Sequence, residues 1–415
     1  MDIKNSRNDF PLLTQENPVI YLDNACSTLR PRAVIQAVQK YYEEYPVCAG
    51  RGVYGLSKTV SEKCEETRRE VANFINAQMA REIVFTRNTT EAINLVANCL
   101  DFKEGDVILT SDKEHNSNLL PWQMAEKKRG IVYKIVPTKE DNTFDLSAFE
   151  AKMRGGGVKL VALGLTSNLD GVTIPVKEII KIAHENGALV LLDAAQAVPH
   201  QEINVSKLDV DFLAFSGHKM MGPSGTGVLY GKAHLLEKLS PFMLGGATVK
   251  NSYIDKDFEL SPVPERFEAG LQNYAGIVGL GEAIRYIKKI GFENIKEQER
   301  KLNEIVTNGI KDIPNLKIIG PQDPAQRGGI ISLYFDSEDF NGHGIAYLLD
   351  KKYNICVRSG RHCVHSWFNS RGIKGSLRAS FYFYNTEEEA KKFVDALKSV
   401  DIKEANKQPV QGCGV

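Results

Sequence analysis

Two stretches decide the fold: Ala188-Leu189-Val190-Leu191-Leu192-Asp193, closely followed by Gln196, and Phe212-Leu213-Ala214-Phe215-Ser216-Gly217-His218-Lys219. Each is a short apolar run without polar alternation, the pattern of a strand buried on both faces, and each ends in polar residues. Outward from them the pattern repeats. Residues 82–86, 106–110, 132–136, 159–163 and 227–230 read as further strands, with helices expected over 90–100 and 175–186. This alternation predicts an α/β chain with a mostly parallel central sheet covered by helices on both faces. In such sheets ligands bind beyond the carboxyl ends of the strands, where these polar residues fall.

After about residue 270 the pattern changes. Residues 274–313 read as largely helical, followed by strands at 329–335 and 376–382 and a last helix at 386–399, a smaller α+β unit. The expected organisation is an N-terminal arm (1–20), a large domain (21–270), a connecting helix with a small α+β C-terminal domain (271–405), and a polar, Gly-rich tail (406–415).

Composition excludes several classes. The 415 residues carry 52 Lys+Arg against 52 Asp+Glu, without the basic excess of a nucleic-acid binder. No apolar run approaches the roughly 18 residues of a membrane span, and Met1-Asp2-Ile3-Lys4-Asn5 shows no signal-peptide core. A cytoplasmic protein without nucleic-acid or membrane partners is expected. The seven cysteines are odd in number and form no C-x-x-C pair, which fits a reducing compartment and argues against a disulfide framework.

Singly, the polar residues at the strand ends have plain readings. Lys219 could be a surface lysine, Asp193 a helix cap, Thr89 or Thr90 an N-cap and His115 a structural histidine. Together they suit one chemistry. A lysine past a buried strand can serve as a Schiff-base nucleophile when its surroundings desolvate it. A carboxylate at a strand end suits a pyridinium nitrogen. Two hydroxyls at a helix N-terminus form an anion cradle.

These residues resemble the fold-type I pyridoxal 5'-phosphate (PLP) enzymes, and among them the class V aminotransferase family, from Tyr21-Leu22-Asp23-Asn24-Ala25 to Arg378-Ala379-Ser380-Phe381-Tyr382-Phe383-Tyr384-Asn385. The resemblance implies that Lys219 carries the cofactor. It gives Asp193 to the pyridine nitrogen, Gln196 to the ring oxygen, His115 to the ring face, and Thr89, Thr90, Ser216 and His218 to the phosphate.

Arg358-Ser359-Gly360-Arg361-His362-Cys363 resembles the nucleophile segment of Suf-type cysteine desulfurases, and the 15 residues from Cys363 to Arg378 leave no room for a longer catalytic loop. By this resemblance L-cysteine becomes L-alanine with a persulfide on Cys363, which supplies sulfur for iron–sulfur cluster assembly. His115 and Lys219 share the catalysis, while Arg378, Asn168 and Arg358 hold substrate. A homodimer and a sulfur-acceptor or cluster scaffold protein are the implied partners. The chain departs from the usual pattern at Arg361, at Gly50 in Ala49-Gly50-Arg51-Gly52, at Leu271, and after the nucleophile in Val364-His365-Ser366-Trp367. The alternatives are a selenocysteine lyase or another class V enzyme. A metal or iron–sulfur protein, built on Cys356, His362, Cys363 and His365, is the remaining one. Cys413 is either a residue without a role or a thiol that carries the persulfide outward.

Overall fold

In the computed structural model, which describes residues 3–50, 52–336 and 340–408, the seven apolar runs form one sheet. The tail thiol Cys413 lies outside the described residues. The strands are β1 (Ile83–Thr86), β2 (Val107–Ser111), β3 (Val132–Val136), β4 (Val158–Gly164), β5 (Leu189–Asp193), β6 (Phe212–Ser216) and β7 (Gly227–Gly231). Their order is β1-β7-β6-β5-β4-β2-β3. Only β7 runs against its neighbours.

The sheet explains why the runs lack alternation. Val190 and Leu192 point into one core and Leu191 into the other; Leu213 and Phe215 likewise oppose Phe212 and Ala214. Successive side chains enter opposite faces, and both faces are covered. Leu191 and Leu192 are both fully buried, each contributing about 1.5–3 kcal/mol.

The smaller sheet holds β8 (Leu316–Ile319), β9 (Ile330–Phe335), β10 (Arg358–Gly360) and β11 (Ser376–Ser380), in the order β8-β9-β11-β10 and antiparallel throughout. Its own core gathers Leu333, Phe335, Leu377 and Phe393. The helical stretch expected over 274–313 is two helices, Tyr274–Ile290 and Phe292–Gly309. The break is Gly291, whose φ of +84° suits glycine and interrupts the helix.

The segment after residue 19 ties the two sheets together. Ile20–Tyr21 pairs with Ile355–Cys356, and Asp23 bridges Ser380 at the end of β11. Ahead of it, Phe10 is fully buried against Tyr286, Phe383 and Tyr384.

An edge strand leaves backbone groups in need of partners. At β1 a buried ion pair supplies them. Arg68 donates to Ile83 O at 2.7 Å and pairs with both oxygens of Glu268, while Phe85 N–H donates to Glu268 Oε1 at 2.7 Å. Glu268→Ala leaves a buried guanidinium and an unpaired N–H, and is expected to cost about 3–5 kcal/mol in urea denaturation. Replacing both partners together, Arg68→Met with Glu268→Leu, should cost less. A single-variant loss below about 1 kcal/mol, the scale of an exposed pair, would contradict this role.

Candidate active site

The carboxyl ends of β2, β4, β5 and β6 and the near end of the small sheet enclose a cleft of about 1040 Å³. It brings together Lys219, Asp193, His115, Asn168, Thr89, Thr90, Ser216 and His218 with Arg358, Cys363 and Arg378. Gln196 lines a small adjoining cavity of about 40 Å³, shared with Lys219, Asp193 and His115.

Each position follows from its element. Lys219 closes the short turn Gly217–Lys219 that leaves β6, so its stem rises from a buried strand. Burial pushes its amine below the usual lysine range, against the pull of Asp193. Asp193 ends β5; its Oδ1 accepts from Ala195 N–H at 3.0 Å, and burial raises its carboxyl against the pull of Lys219. His115 caps the turn after β2, with Nδ1 accepting from Ser117 N–H at 3.1 Å. Burial, then Lys219 and Arg378, push its pKa down to about 3, so the ring is neutral. Burial and Lys219 likewise take His218 down to about 4.

The helix Thr89–Cys99 starts at the cleft, capped by Asn88 Oδ1 on Glu91 N–H. Ser216 Oγ accepts from Thr89 N–H at 2.8 Å and lies 2.6 Å from Thr89 Oγ1. Thr90 Oγ1 is 2.7 Å from Ser117 Oγ, a hydroxyl the sequence reading missed. Gly227 makes this approach possible, since a Cβ there would lie 2.5 Å from Asn88 Cα. Gln196 Oε1 is buried without a partner among the described residues, while Nε2 of that amide donates to Ala25 O at 2.6 Å.

The nucleophile segment enters from the small sheet. β10 ends at Gly360, His362 and Cys363 both adopt positive φ (50° and 58°), and the helix His365–Arg371 follows. This turn leaves Cys363 exposed. The large-sheet side pins it: Asn116 N–H donates to Cys363 O at 2.7 Å and Asn168 Nδ2 to His362 O at 2.7 Å. His362 is buried with its Nε2 2.7 Å from Ser376 Oγ. Arg378, also buried, donates through NH1 to Asn168 O and through NH2 to Asp23 Oδ1, while its Nε has no partner among the described residues. Arg358 lies 3.9 Å from the other oxygen of Asp23. Arg361 is turned onto Lys374 O and Asn369 Oδ1. Five cations line the cleft (Lys219, Arg358, Arg361, Lys374 and Arg378) against a single carboxylate among the described lining residues, Asp193.

The model of the Aminotransferase class-V family matches residues 20–393. The chain belongs to that family. It is 43% identical over 397 residues to a probable cysteine desulfurase of Pyrococcus abyssi, covering 95% of this chain and 96% of that one. The apo structure of a cysteine desulfurase from Thermococcus onnurineus NA1 superposes with a TM-score of 0.89 at 41% identity, over 95% of this chain and 96% of that one. The Escherichia coli cysteine desulfurase CsdA, in its S-sulfonic acid form, gives a TM-score of 0.88 at 32% identity, over 96% and 98%.

Sequence reasoning gave no site role to Asp23, Asn116, Ser117 or Glu114, and weighed His365 only as a metal ligand. Asp23 and Glu114 had a usable signal, an acid directly after or near an apolar run; Asn116 and His365 gain meaning only across 249 residues of separation. Glu114 is buried and accepts from Ser111 Oγ (2.6 Å), Asn118 Nδ2 (2.7 Å) and Gly164 N–H (2.8 Å). It thereby joins the ends of β2 and β4 to the turn that carries His115. Burial, with nearby Asp193, raises its pKa to about 7.

A raised carboxyl pKa means that the folded chain keeps a proton the unfolded chain gives up. From the ordinary carboxyl value of 4.5 up to about 7, wild-type stability therefore falls as pH rises. Glu114→Gln mimics the protonated acid and cannot ionise. It should match wild type near pH 4.5 and exceed it at pH 8 by up to about 3 kcal/mol in urea denaturation. An unchanged difference across that range would refute the assignment.

Proposed function

We propose that the protein is a PLP-dependent cysteine desulfurase that converts L-cysteine to L-alanine and holds the released sulfur as a persulfide on Cys363. The observation that carries the reading is one cleft in which the buried pair of Lys219 and Asp193 meets an exposed thiol on a short, pinned turn. The family membership and the full-length cysteine desulfurase relatives support it.

The donor set fits the cofactor. Gln196 retains a buried polar atom without a partner beside Lys219 and Asp193, so its amide has hydrogen-bonding capacity left for a bound ring. The helix start at Thr89 and Thr90, with Ser216 and His218, would hold a phosphate. Lys219 would carry the aldehyde carbon, Asp193 would face the ring nitrogen and the neutral His115 would cover the ring. Bound there, PLP supplies an electron sink for the substrate α-carbon.

The chain's own residues do the rest. Arg378 and the cations around it attract the substrate carboxylate, and a guanidinium suits that planar anion. Lys219, kept below its ordinary range, can take the α-proton as a neutral amine and return a proton later. The Cys363 thiolate attacks the substrate sulfur, and the carbon–sulfur pair stays with the substrate carbon, which then takes up a proton. An exposed Cys363 can pass its sulfur to an acceptor or scaffold protein for iron–sulfur cluster assembly. Exposed Val53, Tyr54, Leu56, Ile254 and Leu271 suit a homodimer interface. The six free cysteines among the described residues suit the cytoplasm.

Lys219→Ala should lose the yellow, borohydride-reducible cofactor linkage while retaining some PLP through the other contacts. Peptide mapping of the reduced wild type should place the pyridoxyl group on Lys219. Cys363→Ser should bind cofactor and cysteine normally yet form almost no alanine or sulfide. Full cysteine turnover by Cys363→Ser, or an adduct on another lysine, would overturn the reading.

A further inference from the structure

Cys363 must lose its proton before it attacks, and among the cleft histidines that the cofactor contacts leave unused, His365 is the one tied to the same residue as the nucleophile turn. His365 stands two residues beyond Cys363, at the start of the helix His365–Arg371, and lines the same cleft half-buried. Its Nδ1 is 2.9 Å from Asn116 Nδ2. The backbone N–H of that same Asn116 holds Cys363 O at 2.7 Å. One residue, next in sequence to the ring-covering His115, therefore fixes both the nucleophile turn and the imidazole. With Nδ1 engaged, Nε2 is the ring atom left for the cleft.

We propose that His365 is the proton acceptor for Cys363, with Asn116 as its positioning residue. The proposal rests on the persulfide reading above and names the residue that arms its thiol. A thiol is made nucleophilic by an adjacent base that is itself oriented by a third group. An amide suits that third role. As placed, its N–H₂ faces Nδ1, the arrangement for a proton on Nε2, and a half-turn of the amide lets its oxygen accept from Nδ1–H so that Nε2 is the free base. The thiol proton passes to Nε2, the electron pair stays on Sγ, and the thiolate attacks the substrate sulfur. The carbon–sulfur pair remains on the substrate carbon, so Cys363 ends as the persulfide.

The charged and titratable groups that share the cleft with the turn are Cys26, His115, Asp193, His218 and Lys219 on one side, His343, Tyr347, Arg358 and Arg378 on the other, and Arg361, His362 and Lys374 beside it. His365 keeps the proton while the thiolate attacks and releases it to solvent at the cleft mouth afterwards.

The test is the alkylation rate of Cys363 by iodoacetamide, read by peptide mapping of the PLP-loaded enzyme across pH. His365→Gln should slow the reaction about tenfold at pH 7, within the range from a few per cent thiolate to full ionisation, and the deficit should vanish by about pH 10, where hydroxide removes the proton. Asn116→Ala, which keeps the imidazole but releases it, should slow the reaction in the same direction. Equal rates at pH 7 for wild type and for both variants, with PLP absorbance retained, would overturn the proposal. The readout does not need turnover. A His365-dependent alkylation in an enzyme that makes no alanine from cysteine would sustain the base assignment and sink the desulfurase reading. The reverse pattern would do the opposite.

Discussion

Asp193 and Lys219 place opposite charges at the ends of the neighbouring strands β5 and β6, deep within the cleft, and the rest of the site follows from that choice. Taking both ions out of water is expensive, and each resists it in its own way: the carboxyl is raised and the amine is lowered. A hydrophobic pair at these positions would cost less. The sheet around them absorbs the expense, because strands buried on both faces supply apolar area well beyond what two charges forfeit. The reward is a lysine whose neutral form is within reach and a carboxylate held ready for a cationic ring.

The same constraint orders the polar residues one step further out. Glu114 stands close enough to Asp193 to raise its own pKa, and its three hydrogen bonds hold the ends of β2 and β4 and the His115 turn in one arrangement. A second full negative charge there would compete with Asp193 for the nearby cations. Keeping that carboxyl protonated through the acidic range leaves Asp193 as the anion of the cleft. His115, neutral for the same reason of burial, adds no positive charge against the ring it would cover.

What was legible in the sequence lies at the ends of uninterrupted apolar runs. Asp193, Ser216 and Lys219 could be read because a strand without alternation must be buried and must stop somewhere, and chemistry collects at the stop. The strand limits differ from the expected ones by a residue or so, as at Val158–Gly164 against 159–163. The largely helical stretch over 274–313 is divided because the positive φ of one glycine, Gly291, ends its first helix. The contacts around Cys363 were not legible, for a physical reason. Asn116 and Asn168 belong to turns of the large sheet, 247 and 195 residues before the thiol in the chain, and no periodicity links them to it. Arg361 shows that nearness in sequence does not set a contact either. Two residues from Cys363 in sequence, it spends its guanidinium on Lys374 and Asn369 instead.

The nucleophile turn is where the two sheets depend on each other. His362 and Cys363 both hold left-handed backbone, a cost on the order of 1–3 kcal/mol each for residues with a Cβ. The small sheet offsets only part of it, through Ser376. The repayment comes from Asn116, Asn168 and Ser376, which bond Cys363 O, His362 O and His362 Nε2 respectively. Two of those three partners stand beside the cofactor residues, so the thiol holds its place only while the turn is docked on the large sheet. A short, strained, externally pinned turn cannot swing its sulfur far. Under the proposed chemistry an acceptor would have to come to Cys363, which is exposed at the cleft mouth.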